Sequence, residues 1–154
     1  MSRYSLNLPD EQATQALGAR LAGVIPERAV VFLEGDLGAG KTTLARALLH
    51  ALGHQGPVRS PTYTLVEPYR LPQRSLYHLD LYRLSDPEEL EFLGLRDMLA
   101  ESCVLMIEWP QRGRGVLPEP DLRVRLEPAD GGRHVDVEAA SELGEAVIQA
   151  LGSR

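Results

Sequence analysis

Apolar positions along the chain recur with two different periods, and the alternation between them predicts a mixed α/β domain. Residues 10–22 carry Ala13, Ala16 or Leu17, and Leu21 at helical spacing, and Asp10 is suited to cap that helix after Pro9. Ala29-Val30-Val31-Phe32-Leu33 is a continuous apolar run, the pattern of a strand buried on both faces of a parallel sheet. Residues 42–52 are strong helix formers with an apolar stripe, and Gly53 stands where a C-terminal cap belongs. The middle of the chain has more β character. Residues 63–69 and 75–82 flank a turn containing Pro72 and predict a hairpin, with Pro68 placing its first strand at an edge or bulge. Asp86 as a cap, Pro87 at the first helical position and acids in the first turn predict a helix over 86–95. Cys103 to Ile107 is a second buried strand, ending in Glu108-Trp109-Pro110 and stopped by proline. Alternation then continues through 122–126 and 134–137, and a helix closes the chain from about Ser141 to Leu151. These elements predict a mostly parallel central sheet with an antiparallel portion.

Length and composition narrow the picture. A chain of 154 residues fits one domain, 1–154, burying about 70% of its unfolded surface, and no internal repeat, low-complexity tract or linker divides it. Hydrophobic and charged contents of 44% and 25% are ordinary, and no apolar run nears the roughly 20 residues of a bilayer span. The first ten residues lack the apolar stretch of a secretory signal, and one cysteine makes no internal disulfide, so a cytoplasmic location is expected. A net charge of −6 argues against a self-sufficient nucleic-acid binder, whose affinity comes from clustered Lys and Arg. Arg112 and Arg114, beside Gly113 and Gly115, are the local exception: a phosphate or partner contact, or a solvated loop.

The strongest chemical signal lies between the first buried strand and the helix after it. Gly35-Asp36-Leu37-Gly38-Ala39-Gly40-Lys41-Thr42 fits G-x-x-x-x-G-K-[ST]. Glycines let the backbone wrap an anion closely, so that successive N–H groups and the helix N-terminus point at phosphate oxygens. Lys41 is suited to reach the β- and γ-phosphates and Thr42 to place its hydroxyl on Mg²⁺. Guanine-specific relatives of this motif use Asn-Lys-x-Asp, and the only asparagine here is Asn7, so ATP is expected over GTP.

Such a site needs a further acid at the C-terminal end of a neighbouring strand, where loops converge beside the phosphates. Glu108 and Asp80 compete: either is suited to hold Mg²⁺, directly or through water, while the other orients the attacking water. Ser60-Pro61-Thr62-Tyr63-Thr64 is a run of hydroxyls positioned as a nucleotide-sensing loop or as an ordinary turn. Trp109 reads as a packing residue, Cys103 as a small buried hydrophobe, and the four histidines show no metal-ligand spacing.

Four motifs taken in order, Gly35 to Thr43, Ser60 to Glu67, His78-Leu79-Asp80-Leu81-Tyr82-Arg83 and Glu108-Trp109-Pro110, closely resemble the bacterial TsaE family, also called YjeE; the likeness runs from about Pro9 to Pro110. The resemblance implies a three-layer P-loop NTPase-like sandwich and an ATPase, using ATP/ADP and Mg²⁺, that assists the making of threonylcarbamoyladenosine on tRNA. It implies TsaD and TsaB as partners, with tRNA met only indirectly through their complex. By this analogy Thr42 and Glu108 match the Mg²⁺ positions, Lys41 the phosphate-binding lysine and Asp80 an acid needed for hydrolysis. Asp36, Leu37, Gly38, Ala39, Gly40, Lys41, Thr42 and Thr43 form the nucleotide cradle, and Glu11 and Arg133 match contacts at the nucleotide's edge. Two rival readings share the loop: a small-molecule kinase, which needs an acceptor pocket and an arginine-bearing lid, and a nucleotide-gated binding module with negligible chemistry.

Overall fold

The computed structural model describes residues 2–36 and 38–153. In chain order the strands are β1 (Arg3–Leu8), β2 (Ala29–Glu34), β3 (Val66–Arg70), β4 (Ser75–Asp80), β5 (Cys103–Glu108), β6 (Leu122–Ala129) and β7 (Gly132–Ala139). The helices are α1 (Glu11–Val24), α2 (Lys41–Ala51), α3 (Glu89–Phe92), α4 (Leu95–Ala100) and α5 (Glu142–Gly152), with a short 3-10 turn at Pro110–Gly113. One seven-stranded sheet runs β1-β7-β6-β2-β5-β4-β3. Its centre, β6-β2-β5-β4, is parallel; β3 pairs antiparallel at one edge, and β7 and β1 extend the other side antiparallel.

The two apolar runs occupy the middle of this sheet because each has residues for both faces. Ala29, Val31 and Leu33 of β2 and Val104 and Met106 of β5 pack with Leu17 and Leu21 of α1, Leu44 and Leu48 of α2, and Val147 and Leu151 of α5. Phe32, Leu79, Leu105 and Ile107 turn to the opposite face, where Leu90, Leu95 and Met98 of α3 and α4 cover them. The result is the three-layer α/β sandwich expected, with a parallel core and antiparallel flanks. Among the described residues no helix is long and apolar enough to cross a membrane.

Three local features differ from the pattern read along the sequence. The strand β1 was not anticipated; its alternating Tyr4, Leu6 and Leu8 are a period-2 signal only six residues long, stabilised by pairing with β7 from Arg3↔Glu138 to Leu8↔Arg133. The helix expected over 86–95 is two helices. The Asp86 carboxylate accepts from the Glu88 amide at 2.9 Å, but α3 begins only at Glu89 with Glu88 as its N-cap, and the chain passes through left-handed backbone at Gly94 (φ 89°) and restarts as α4. The hairpin's first strand begins at Val66, because residues 61–64 form a turn closed by the Leu65 amide on the Pro61 carbonyl at 2.8 Å.

α1 and α2 lie against each other at Gly18, where a Cβ would stand 2.6 Å from the Ala47 Cβ and 3.0 Å from the Leu48 amide nitrogen. Helix propensity favours alanine over glycine by about 1 kcal/mol, whereas overpacking a closed contact costs about 1–3 kcal/mol. Since the neighbour includes rigid backbone, the steric effect wins. Gly18→Ala is therefore expected to lower the urea midpoint; a raised midpoint would show that the helices separate freely.

Candidate functional site

The glycine loop leaves the C-terminal end of β2 and enters α2 at Lys41, with Gly40 in left-handed backbone (φ 102°) immediately before the helix. This puts the unsatisfied amides of the first turn of α2 at the loop's mouth, where the helix dipole favours an anion. The outer side of the loop is tied to β7: the Arg133 guanidinium donates from Nε to the Ala39 carbonyl and from Nη2 to the Gly38 carbonyl, both at 3.0 Å. The Ala39 amide donates to the Asp36 carbonyl at 3.1 Å.

Strand register supplies the acids. In parallel β4 and β5, Asp80 stands beside Glu108, and Glu108 in turn stands beside Leu33 of β2. Alternation from Leu76 through His78 to Asp80, and from Val104 through Met106 to Glu108, turns both carboxylates to the α2 side of the sheet. The two strand-end acids thus meet the helix that begins at Lys41. Glu108 Oε1 lies 3.4 Å from Lys41 Nζ and Oε2 lies 2.6 Å from His78 Nε2, with all three side chains buried. Lys41 Nζ is also 4.7 Å from the centre of the Trp109 ring, which packs against Tyr82 at 5.0 Å. Trp109 itself adopts left-handed backbone (φ 56°), which turns the chain into Pro110 and the 3-10 segment.

The paired acids are driven in opposite directions. Burial acts to raise the Glu108 carboxyl, but the hydrogen bond from His78 and the charges of His78 and Lys41 outweigh it and hold the group below the ordinary carboxylate range. Asp80 is raised, first by burial and also by the negative Glu108 beside it; the Tyr82 amide, 3.0 Å from Oδ1, and the Lys41 charge only partly offset this.

Two adjoining cavities meet at the loop. One, of about 280 Å³, is lined by Gly38, Gly40, Lys41, Thr42, Thr43, Ser60, Thr62, Asp80, Glu108 and Arg133. The other, of about 410 Å³, is lined by Glu11, Thr14, Gly40, Thr43, Gly132 and Arg133 among others. Gly40, Thr43 and Arg133 belong to both. The structure therefore brings Lys41, Thr42, Asp80 and Glu108 around one space and sets Glu11 in the next. Asp36 is exposed and faces a separate hollow of about 280 Å³ with Glu34, Trp109 and Arg125, while Ala39 is buried. Leu37 lies outside the described residues. Ser60 and Thr62 reach the cavity, so the hydroxyl run is part of its wall. Cys103 is buried, as its apolar surroundings predict, and its thiol donates to the Met98 carbonyl. His78 was not singled out from sequence; the signal available was its spacing of two from Asp80, which puts both on one strand face.

The donor set suits Mg²⁺. Among the described residues no group of three or more His, Cys, Asp or Glu side chains forms a metal cage. Mg²⁺ instead takes one or two protein oxygens and completes its shell with water and phosphate, and the Thr42 hydroxyl with the Glu108 carboxylate on the same cavity wall is such a set.

Fold and site together define an α/β protein in which a glycine loop joins a central parallel strand to a helix and faces two strand-end acids. The chain belongs to the TsaE family: the model of the threonylcarbamoyl adenosine biosynthesis protein TsaE matches residues 8–135. It is 46% identical, over 99% of its length and 100% of the relative's, to the tRNA threonylcarbamoyladenosine biosynthesis protein TsaE of Haemophilus influenzae. The protein of the same name from Synechocystis is 43% identical over 68% of this chain and 69% of its own. Among solved structures, Bacillus subtilis YdiB superposes with a TM-score of 0.85 at 26% identity, covering 99% of this chain and 95% of that one.

The opposite shifts of the two acids have opposite consequences for stability. Glu108, depressed in the folded state, contributes stability that is full above the ordinary glutamate range and lost as pH falls towards its folded value. Asp80, raised in the folded state, carries a penalty at neutral pH that disappears as pH falls through its raised value. Glu108→Gln is expected to destabilise by up to about 3–5 kcal/mol at pH 7, since it leaves Lys41 buried without its counter-charge. Asp80→Asn is expected to stabilise at pH 7. Urea denaturation from pH 7 to 3 should show both differences shrinking; the same sign for both variants would contradict the assignment.

Proposed function

We propose that this chain is a Mg²⁺-dependent ATPase of tRNA N6-threonylcarbamoyladenosine biosynthesis, whose ATP binding and hydrolysis regulate or reset a TsaD–TsaB complex in the cytoplasm. The observation that carries the reading is the convergence of a helix-opening lysine, a hydroxyl and two oppositely shifted carboxylates on one cavity beside the glycine loop. Phosphates fit the cavity of Lys41 and Thr42, and the adjoining space beside Glu11 and Arg133 leaves room for the nucleoside end. Lys41, now held by Glu108 and the Trp109 ring, exchanges that partnership for phosphate oxygens. Thr42 and Glu108 hold Mg²⁺, which when bound offsets the phosphate charge. Asp80, whose carboxyl is pushed up by burial, orients the attacking water and accepts its proton. The absence of an Asn-Lys-x-Asp segment favours adenine. The acidic net charge accords with a regulator that acts on a protein pair and meets tRNA only through it.

Phosphate release from ATP, followed with the chain alone and with TsaB and TsaD, tests this directly. The native rate is expected to rise with the partners, and Lys41→Ala, Asp80→Ala and Glu108→Ala to lose at least about 10²-fold. Turnover no higher than the Lys41→Ala background under every condition would remove the ATPase assignment and favour a kinase or a passive nucleotide switch.

A further inference from the structure

We propose that His78 is the positioning residue of Glu108: its ring anchors one carboxylate oxygen so that the other stays directed to the Lys41 side of the cavity once Lys41 turns to phosphate. The inference rests on the nucleotide reading of the site. His78 sits on β4 between Leu76, which is in the core, and Asp80, which lines the cavity; at 3% exposure it is sealed from the cavity and is not among its lining residues. Among the described residues its one polar partner is Glu108, at 2.6 Å from Nε2 to Oε2. A carboxylate offers acceptors alone, so the hydrogen of this contact resides on Nε2 and the imidazole donates. The buried Nδ1 has no partner among the described residues. A buried imidazole satisfied on one side only is costly as mere packing, and an aliphatic side chain would fill the same space.

The two oxygens of Glu108 are held unequally. Oε2 is in a short contact with a ring that has no other polar partner among the described residues, whereas Oε1 is 3.4 Å from an ammonium that also lies over an indole. Phosphate competes for Lys41, and His78 cannot follow it. Groups that orient a metal-binding carboxylate from behind change metal affinity by about 10–100-fold when removed.

Calorimetric titration of ADP, with Mg²⁺ and with EDTA, into the native chain, His78→Leu and His78→Gln separates positioning from general damage. His78→Leu is expected to bind ADP in EDTA within about twofold of the native chain and to lose about 10-fold or more of the Mg²⁺-dependent gain. Gln, which keeps a donor near the position of Nε2, is expected to recover part of it. Native Mg²⁺ dependence in a folded His78→Leu chain would overturn the inference while leaving the ATPase reading intact; absence of nucleotide binding by the native chain would end both. ¹⁵N NMR of the native imidazole needs no variant: a His78 Nε2–H signal that persists in the Mg²⁺·ADP state supports the anchor, and its loss on binding refutes it.

Discussion

A carboxylate almost withdrawn from water needs a cation and hydrogen-bond donors, and Glu108 is that carboxylate here. Leaving such a charge unpaired costs several kcal/mol, so the surroundings must deliver a counter-charge and a hydrogen-bond donor with good geometry. β5, flanked in parallel by β2 and β4, brings Glu108 to the C-terminal edge of the sheet; α2 presents Lys41 as its first residue, and β4 presents His78 from the other side. The order of the parallel strands, the start of α2 and the face chosen by β4 are thus mutually constrained. A one-residue slip of β5 against its neighbours would point Glu108 to the α3 and α4 side, away from both Lys41 and His78.

The antiparallel flank completes what the parallel core begins. β7 and β1 add Arg133, Gly132 and Leu8 to the wall of the second cavity, and α1 adds Glu11 and Thr14. Arg133 binds this flank to the loop through two carbonyls, so the space beside Lys41 and the space beside Glu11 are fixed relative to one another. That coupling gives the β1–β7 pair, whose Leu8, Val135 and Val137 are buried in the core, a part in shaping the site as well.

The legible parts of the sequence were those in which one local rule sufficed. Continuous apolar runs at 29–33 and 103–107 marked the central strands, Asp10 and Ser141 marked helix starts whose side chains accept from Ala13 and Gly144, and Pro68 marked the edge strand β3. Features that depend on distant partners were less accessible. β1 is short and is defined by pairing 130 residues away, and α3 and α4 share a sequence that scans as one helix until the turn at Gly94. In the site, the apolar run that ends in Glu108 made it the cleaner match than Asp80 in its more polar strand, without fixing their roles; strand register and the reach of Lys41 pair Lys41 with Glu108. His78 stood in a motif with Asp80 but carried no role of its own, because a lone histidine in a strand ordinarily signals nothing. Glu11 and Arg133 entered through the family resemblance, and no pattern in their own segments announced them.

The site's chemistry depends on where phosphate sits. A crystal structure of the chain with Mg²⁺ and a non-hydrolysable ATP analogue decides it most directly. The phosphates are expected against the loop amides and Lys41, the metal on Thr42 and Glu108, and the nucleoside end in the space beside Glu11 and Arg133. Phosphates bound elsewhere, such as the hollow beside Glu34 and Asp36, or a Lys41–Glu108 pair still closed with nucleotide present, would contradict this placement.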